Sequence, residues 1–195
     1  MQNEQVNASE NVDSAVLRQG GVLEALLLRG IFEVKCFDKD GKLKWHDIIK
    51  NVVTIVGKNL ALDTYLAGAA YTVVGPFMGL ISSVDYTGVP VEANTMASHA
   101  TWKEAGTTNL PTYTAPRKTC VWSAANAGAK ALSAALSFVF TGSGTVKGCF
   151  LVYGTDAVST IDSTAGTLYS AGLFTGGDKT VVNTDTLNVS YTASL

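Results

Sequence analysis

The chain has 195 residues, 15% of them charged, and a formal net charge of −2. A chain of this length can bury a hydrophobic core without metals or disulfides, and the lack of a polybasic run argues against nucleic-acid binding. Nineteen glycines in a sequence rich in Ala, Ser, Thr and Val favour a β-rich domain with many turns.

Residues 1–29 differ in pattern from the rest and predict a partly helical N-terminal arm, followed by one domain over residues 30–195. The stretch "VDSAVLRQGGVLEALLLRG" spaces its apolar side chains roughly as a helix does, with an interruption at Gly20 and Gly21. The start lacks the basic segment and apolar core of a signal peptide. The arm can pack on its own domain or on a neighbouring chain. Its candidate interface residues are Val12, Val16, Leu17, Leu23, Leu26 and Leu27.

A β-hairpin is predicted at the start of the domain. In "IFEVKCF" apolar and charged residues alternate, which places Phe32, Val34 and Cys36 on one face of a strand. "DKDG" supplies a turn, and "KLKWHDIIKNVVT" supplies the second strand, with Trp45 and Asp47 on one face. We expect Trp45 to anchor this hairpin in the core.

A short helix is predicted after the hairpin. In "TIVGKNLALDTYLAG" the apolar residues recur at spacings of three and four, and Leu60 and Tyr65 are among them. Thr54 is the expected N-cap, and Gly68 is the expected stop. We expect this helix to close one open end of the domain.

Strands joined by turns are predicted for the remaining sequence. "GPFMGLISS" indicates a buried strand, and the following loop is expected to hold one helical turn at "TMASHATW". "AKALSAALSFVFTGSGTVKGCFLVYG" predicts two strands around a "TGSG" turn, and "TLNVSYTASL" alternates like a half-buried strand. About eight strands and one helix indicate a mainly β fold, an antiparallel, jelly-roll-like β-sandwich. The expected core residues are Phe32, Val34, Trp45, Leu60, Tyr65, Trp102, Phe150, Leu187 and Val189.

Catalytic chemistry has little support in the sequence. His46 and Asp47 occupy adjacent strand positions and so face apart, and we expect both at the surface or at an interface. His99 lies three residues from Met96 and from Trp102, a pattern more typical of packing than of metal binding. No nucleophile elbow, phosphate-binding loop or zinc-protease motif occurs. We therefore expect no enzyme, no cofactor and no metal, while a small hydrolase or sugar-binding domain stays open as an alternative.

The three cysteines lie in the apolar sequences "VKCFD", "KTCVW" and "KGCFL". Their odd number and apolar neighbours favour buried free thiols, as in a protein made in a reducing compartment. Their spacing matches no zinc or redox motif.

An uneven distribution of charge marks the middle of the chain. Residues 105–155 contain no Asp or Glu but include Arg117, Lys118, Lys130 and Lys147. A face built from this span would be mildly basic and could bind an acidic partner, although separately solvated lysines are the commoner outcome. Arg117 and Lys118 are the candidate interface residues of this span.

Five stretches together resemble a family of small virion proteins of tailed phages and prophages. They are "GIFEVKCFDKDGKLKWHDIIKNVVTIVGKNLALDTYL", "GPFMGLISS", "NTMASHATWKE", "KGCFLVYG" and "TLYSAGLFTGGDKTVVNTDTLNVSYTASL". The shared features are a strand, a D-G turn, a second strand with a Trp and an Asn before a helix, and a "TDTL-V" ending. The family is similar to the cement, or decoration, proteins of short-tailed phages, and the resemblance covers residues 30–195 with gaps at the loops.

The resemblance implies a jelly-roll-like β-sandwich on the outer capsid, with no catalytic residues to carry over. The implied partners are the major capsid protein and further copies of the chain, as a dimer or trimer, with no nucleic acid and no membrane. The implied location is the virion, after synthesis in the cytoplasm of a bacterial host. A tail, fibre or baseplate-associated β module of a phage virion is the alternative reading.

Overall fold

The computed structural model describes residues 29–66 and 75–194, apart from the side chains of Tyr65 and Leu66. The expected helix stop at Gly68 and the core role expected for Tyr65 therefore lie outside what is described. The same holds for the arm and its candidate interface residues Val12, Val16, Leu17, Leu23, Leu26 and Leu27.

Twelve strands and one helix make up the described fold. The helix α1 spans Ile55–Leu66. The strands are β1 (Arg29–Phe37), β2 (Leu43–Lys50), β3 (Val52–Val53), β4 (Phe77–Ser82), β5 (Glu104–Ala105), β6 (Lys118–Thr119), β7 (Ala129–Ala131), β8 (Leu136–Val139), β9 (Gly144–Tyr153), β10 (Thr167–Leu173), β11 (Lys179–Val181) and β12 (Thr186–Ser194).

The strands form two sheets, and every strand pair is antiparallel. The five-stranded sheet has the order β2-β1-β12-β7, with β8 also paired to β12. The seven-stranded sheet has the order β3-β10-β9-β4-β5, with β11 on β9 and β6 on β4. The prediction of a mainly β, antiparallel sandwich with one short helix is confirmed.

The main core lies between the two sheets. Strand β1 alternates between buried and exposed residues, so that Phe32 and Val34 are 0% exposed, and β12 does the same with Leu187 and Val189. Val34 pairs with Val189 across the ladder, which joins the inward faces of both strands. Period-two alternation predicts this arrangement because successive side chains of a strand point to opposite faces.

A second cluster covers the other face of the seven-stranded sheet. Residues 146–152 of β9 are almost continuously buried, because Met96 and Trp102 from the loop before β5 pack on the face turned away from the main core. The rings of Trp102 and Phe150 lie 5.3 Å apart between centroids. This loop forms no helix at residues 95–102, so the expected helical turn is wrong.

The helix contacts the sandwich through its first turn. Thr54 is the N-cap, as predicted, since its hydroxyl accepts a hydrogen bond from Gly57 N at 3.0 Å. A Cβ at Gly57 would lie 2.3 Å from the carbonyl oxygen of Tyr169, so only glycine allows this close approach to β10. Leu60 is only half-buried, and Leu62 is 48% exposed, so the helix lies against one strand and is not a buried plug.

The prediction of strands on both sides of the "TGSG" turn is confirmed: they are β8 and β9, which lie in different sheets, so the turn crosses between the layers. The number of strands needs correction. The described count of twelve exceeds the expected eight because five strands are only two or three residues long. Such short pairings carry almost no periodic signal in the sequence.

Candidate functional site

Arg117, a candidate interface residue, is buried. The residue is 1% exposed, and its guanidinium binds Glu104 through two parallel hydrogen bonds, Nε to Oε1 at 2.9 Å and Nη2 to Oε2 at 2.7 Å. It also donates to the carbonyl oxygens of Val158 at 3.1 Å and Ser163 at 2.8 Å. The interface role expected for Arg117 is therefore wrong, and the residue joins β5 to the loop before β10.

Glu104 completes this buried pair. The carboxylate accepts a third hydrogen bond from Asp162 N at 2.8 Å and is 4% exposed. Burial raises the pKa of Glu104, while the hydrogen bonds and charge of Arg117 oppose that rise. The paired geometry is that of an ionised carboxylate facing a guanidinium.

The other cations of the acid-free span are also engaged. Lys118 is half-buried, donates to Thr114 O at 2.8 Å and lies 5.7 Å from the ring centroid of Tyr113. Lys147 pairs with Asp178 at 2.8 Å. Carboxylates elsewhere in the chain thus pair with Arg117 and Lys147, while Lys118 and the exposed Lys130, which donates to Ser123 O at 3.1 Å, bind backbone carbonyl oxygens.

Asp47 and His46 face apart, as expected for neighbouring strand positions, but only His46 is at the surface. Its Nε2 lies 3.2 Å from Glu33 Oε1 on the solvent side of the sheet. Asp47 is 8% exposed, so the expectation of a surface or interface pair is wrong for this residue. It pairs with Lys179 Nζ at 2.7 Å.

Further donors hold the Asp47 carboxylate ionised. Thr175 Oγ1 donates to it at 2.8 Å, and Gly176 N donates at 3.0 Å. Burial alone would raise the pKa of Asp47, but the hydrogen bonds from Lys179, Thr175 and the backbone outweigh it and lower the pKa to about 2. The carboxylate thus fixes the loop after β10 to β2.

Trp45, which was expected in the core, is half-buried. Its ring packs against Phe174, with 5.5 Å between ring centroids, so it is not fully in the core.

His99 lies beside a polar cleft. Its ring stacks on Trp102 with 3.9 Å between centroids, and its Nδ1 is 3.1 Å from Trp102 O. Burial lowers the pKa of His99, which favours the neutral ring. The cleft has a volume of about 420 Å³, and its walls include Asp85, His99, Lys103, Glu104, Asn109 and Asp162. Within residues 29–66 and 75–194, no three His, Cys, Asp or Glu side chains come together in a way that could hold a metal ion.

All three thiols are buried and unpaired with one another. Burial raises the pKa of Cys36 and of Cys120 to about 12, and it raises the pKa of Cys149 further. Thiols with such pKa values are protonated at neutral pH and are poor nucleophiles or ligands.

The solvent-facing side of β2-β1-β12-β8, which we call the outer sheet face, collects positive charge. Arg29, Lys35 and Lys50 lie on exposed positions of β1 and β2, and Glu33 is the one carboxylate there among the described residues. Lys44, the extra residue of β2 at the bulge, pairs instead with the buried Asp185. Three cations against one carboxylate leave two positive charges in excess, on a chain whose net charge is −2.

The same face also carries apolar side chains. Ile31 is 47% exposed and Ile48 is 42% exposed. Ile31 pairs with Lys50, and Ile48 pairs with Glu33, so the two isoleucines are diagonal neighbours. Beside them β12 presents short uncharged side chains, including Ser190 and Thr192. The sequence alternation predicts these outward positions one by one, but only the strand register shows that they form one patch.

No protein-family model and no curated protein matches the chain. In the described part of the chain, no helix has both the length and the apolar character needed to span a membrane.

Proposed function

We propose that the chain is a virion structural protein, a capsid decoration protein that binds the outer surface of the major capsid protein shell and stabilises it. The resemblance of residues 30–195 to phage decoration proteins supports this proposal, and so does the β-sandwich fold. The observation that carries it is the outer sheet face, where Arg29, Lys35 and Lys50 lie on the same side as the exposed Ile31 and Ile48. A sheet face that combines exposed apolar side chains with an excess of positive charge suits an acidic protein surface.

A rigid domain favours such a binding role. The Glu104–Arg117 pair joins β5 to the loop before β6, and the Asp47–Lys179 pair joins β2 to β11, both through largely buried side chains. A surface that is already ordered loses little conformational entropy when it binds, so more of the contact energy remains as affinity. Many identical weak contacts on a shell then add together through multivalency.

Charge reversal on the outer sheet face tests the proposal. We expect the double variant Lys35→Glu/Lys50→Glu to bind shells at least about tenfold more weakly, since each rim charge contributes roughly 0.2–1 kcal/mol and its reversal adds repulsion. Binding of the native chain should also weaken as salt rises. The measurement is co-sedimentation of the purified protein with particles that lack it.

The matched control is Lys103→Glu/Lys130→Glu, which changes the net charge equally at exposed lysines outside the outer sheet face. Equal weakening by both double variants would contradict docking through this face.

The number of copies per particle tests the function itself: a decoration protein is present in numbers comparable to the major capsid protein. A few copies per particle would instead indicate a tail, fibre or baseplate module. Shells that rupture at the same temperature with and without the bound protein would exclude the stabilising role.

A further inference from the structure

Helix α1 turns two apolar side chains away from the sandwich, with the exposed Lys58 and Asn59 between them. Ile55 and Leu62 are 50% and 48% exposed. They lie on the same side of the helix, because seven steps of about 100° fall roughly 20° short of two full turns. Gly57, through which the helix contacts β10, lies on the opposite side, about 200° around the axis from Ile55. Two large aliphatic side chains thus face away from the domain that carries them.

A neighbouring loop adds a third exposed apolar side chain. Ile55 N donates to Glu92 O at 2.9 Å, and Lys58 Nζ pairs with Glu92 Oε1 at 3.0 Å. These contacts hold Val91, which is 47% exposed, beside the first turn of the helix. Ile55, Leu62 and Val91 together are called the α1 face below.

The polypeptide enters the domain close to the α1 face. At the start of β1, Gly30 O accepts a hydrogen bond from Asn51 N at 3.3 Å. Only three residues separate Asn51 from Ile55. Four residue steps span at most about 14 Å, so the residues just before Arg29 start within reach of the helix.

We propose that residues 12–27 of the same chain dock on the α1 face. This segment carries Leu23, Leu26 and Leu27 only a few positions before β1, at roughly helical spacing. Its apolar side chains and the exposed apolar side chains of α1 would each lose contact with water in the same step. A short tether gives an effective concentration in the mM range, so the chain's own segment occupies the face ahead of a neighbour's.

Disulfide trapping in the full chain tests the proposal. In the variant Leu26→Cys/Leu62→Cys, mild oxidation of a dilute solution should form an intrachain disulfide, seen as faster migration on a non-reducing gel and confirmed by peptide mapping. The native cysteines do not compete because all three are buried. Adding Leu23→Glu and Leu27→Glu to this variant should slow the cross-linking at least about fivefold, since the docking is apolar.

The control pair is Leu26→Cys/Val182→Cys. Val182 is 46% exposed and lies near Asp185, next to the Thr186–Phe37 end of the β1–β12 ladder. That end is roughly 27 Å along the strand from Arg29, too far for Leu26 to reach. Cross-linking to Leu62→Cys no faster than to Val182→Cys overturns the proposal. A disulfide that joins two chains overturns it as well, because a second copy would then be the occupant.

Discussion

Replacing Glu104 with Gln removes one charge from the buried pair and leaves the size of the side chain unchanged. In the native chain the carboxylate accepts hydrogen bonds from Arg117 Nε at 2.9 Å, from Arg117 Nη2 at 2.7 Å and from Asp162 N at 2.8 Å. An amide in its place sets an NH₂ group against one of these donors. It also leaves the guanidinium of the buried Arg117 without a counter-charge.

The cost of this change follows from the geometry. Breaking a buried ion pair by removing one partner costs about 3–5 kcal/mol. Arg117 keeps its hydrogen bonds to the carbonyl oxygens of Val158 and Ser163, which still solvate the charge. We therefore expect Glu104→Gln to lower the free energy of unfolding by about 3 kcal/mol. For a domain of this size that corresponds to a fall in Tm of roughly 6–12 °C.

Urea denaturation followed by far-UV circular dichroism gives the measurement. The control is Glu92→Gln, which removes the partner of Lys58 in a pair whose side chains are 56% and 44% exposed, and should cost at most about 1 kcal/mol. Adding Arg117→Met to Glu104→Gln should recover part of the loss, because no unpaired charge then remains buried. A loss below about 1 kcal/mol for Glu104→Gln, or strictly additive losses in the double variant, would refute the reasoning.

Three further outcomes are expected. The pKa of Asp47 is about 2, below its ordinary value of 3.8, so the stability that the ionised carboxylate contributes is complete above about pH 4 and is lost as the pH falls toward 2. In Asp47→Asn the urea concentration at the unfolding midpoint should therefore fall less between pH 7 and pH 2.5 than in the native chain. The buried thiols should resist iodoacetamide in native protein and react at three per chain in denaturant, and fast native labelling would contradict their burial. Trp45→Ala should cost about 2–3 kcal/mol, less than the roughly 3–5 kcal/mol of a fully buried aromatic, because Trp45 is half-buried against Phe174; a loss under about 1 kcal/mol in denaturant melts would place its ring outside the packed region.

Long alternating strands and local turn chemistry were predictable. The alternation predicted that Phe32, Val34, Leu187 and Val189 are buried, because every second residue of a half-buried strand faces the core. Thr54 is recognisable as a cap because capping depends on a few neighbouring residues. The assignment of strands to sheets is different: β8 and β9 flank one short turn, but β8 pairs with the distant strand β12 and β9 lies in the other sheet.

The candidate site was less predictable, since it depends on contacts between distant residues. Arg117 lies in a span without acids, and its partner Glu104 lies 13 positions before it, so the charge pattern suggested a free cation. Asp47 has its partner Lys179 on another strand. The outer sheet face exists only because the register sets Ile31 opposite Lys50 and Ile48 opposite Glu33. No local spacing encodes those juxtapositions.

The ladder between β1 and β12 has a consequence for how the protein is made. Val34 and Val189 are paired across that ladder although 155 positions separate them in the sequence. During synthesis at roughly 5–20 residues per second, the β1–β2 hairpin must wait many seconds for the strand that completes its sheet. Throughout that interval one edge of β1 offers unpaired amides and carbonyls to other nascent chains. Folding should therefore be slow, on the millisecond-to-second scale of sandwiches with distant pairings, and its yield should fall as expression becomes faster.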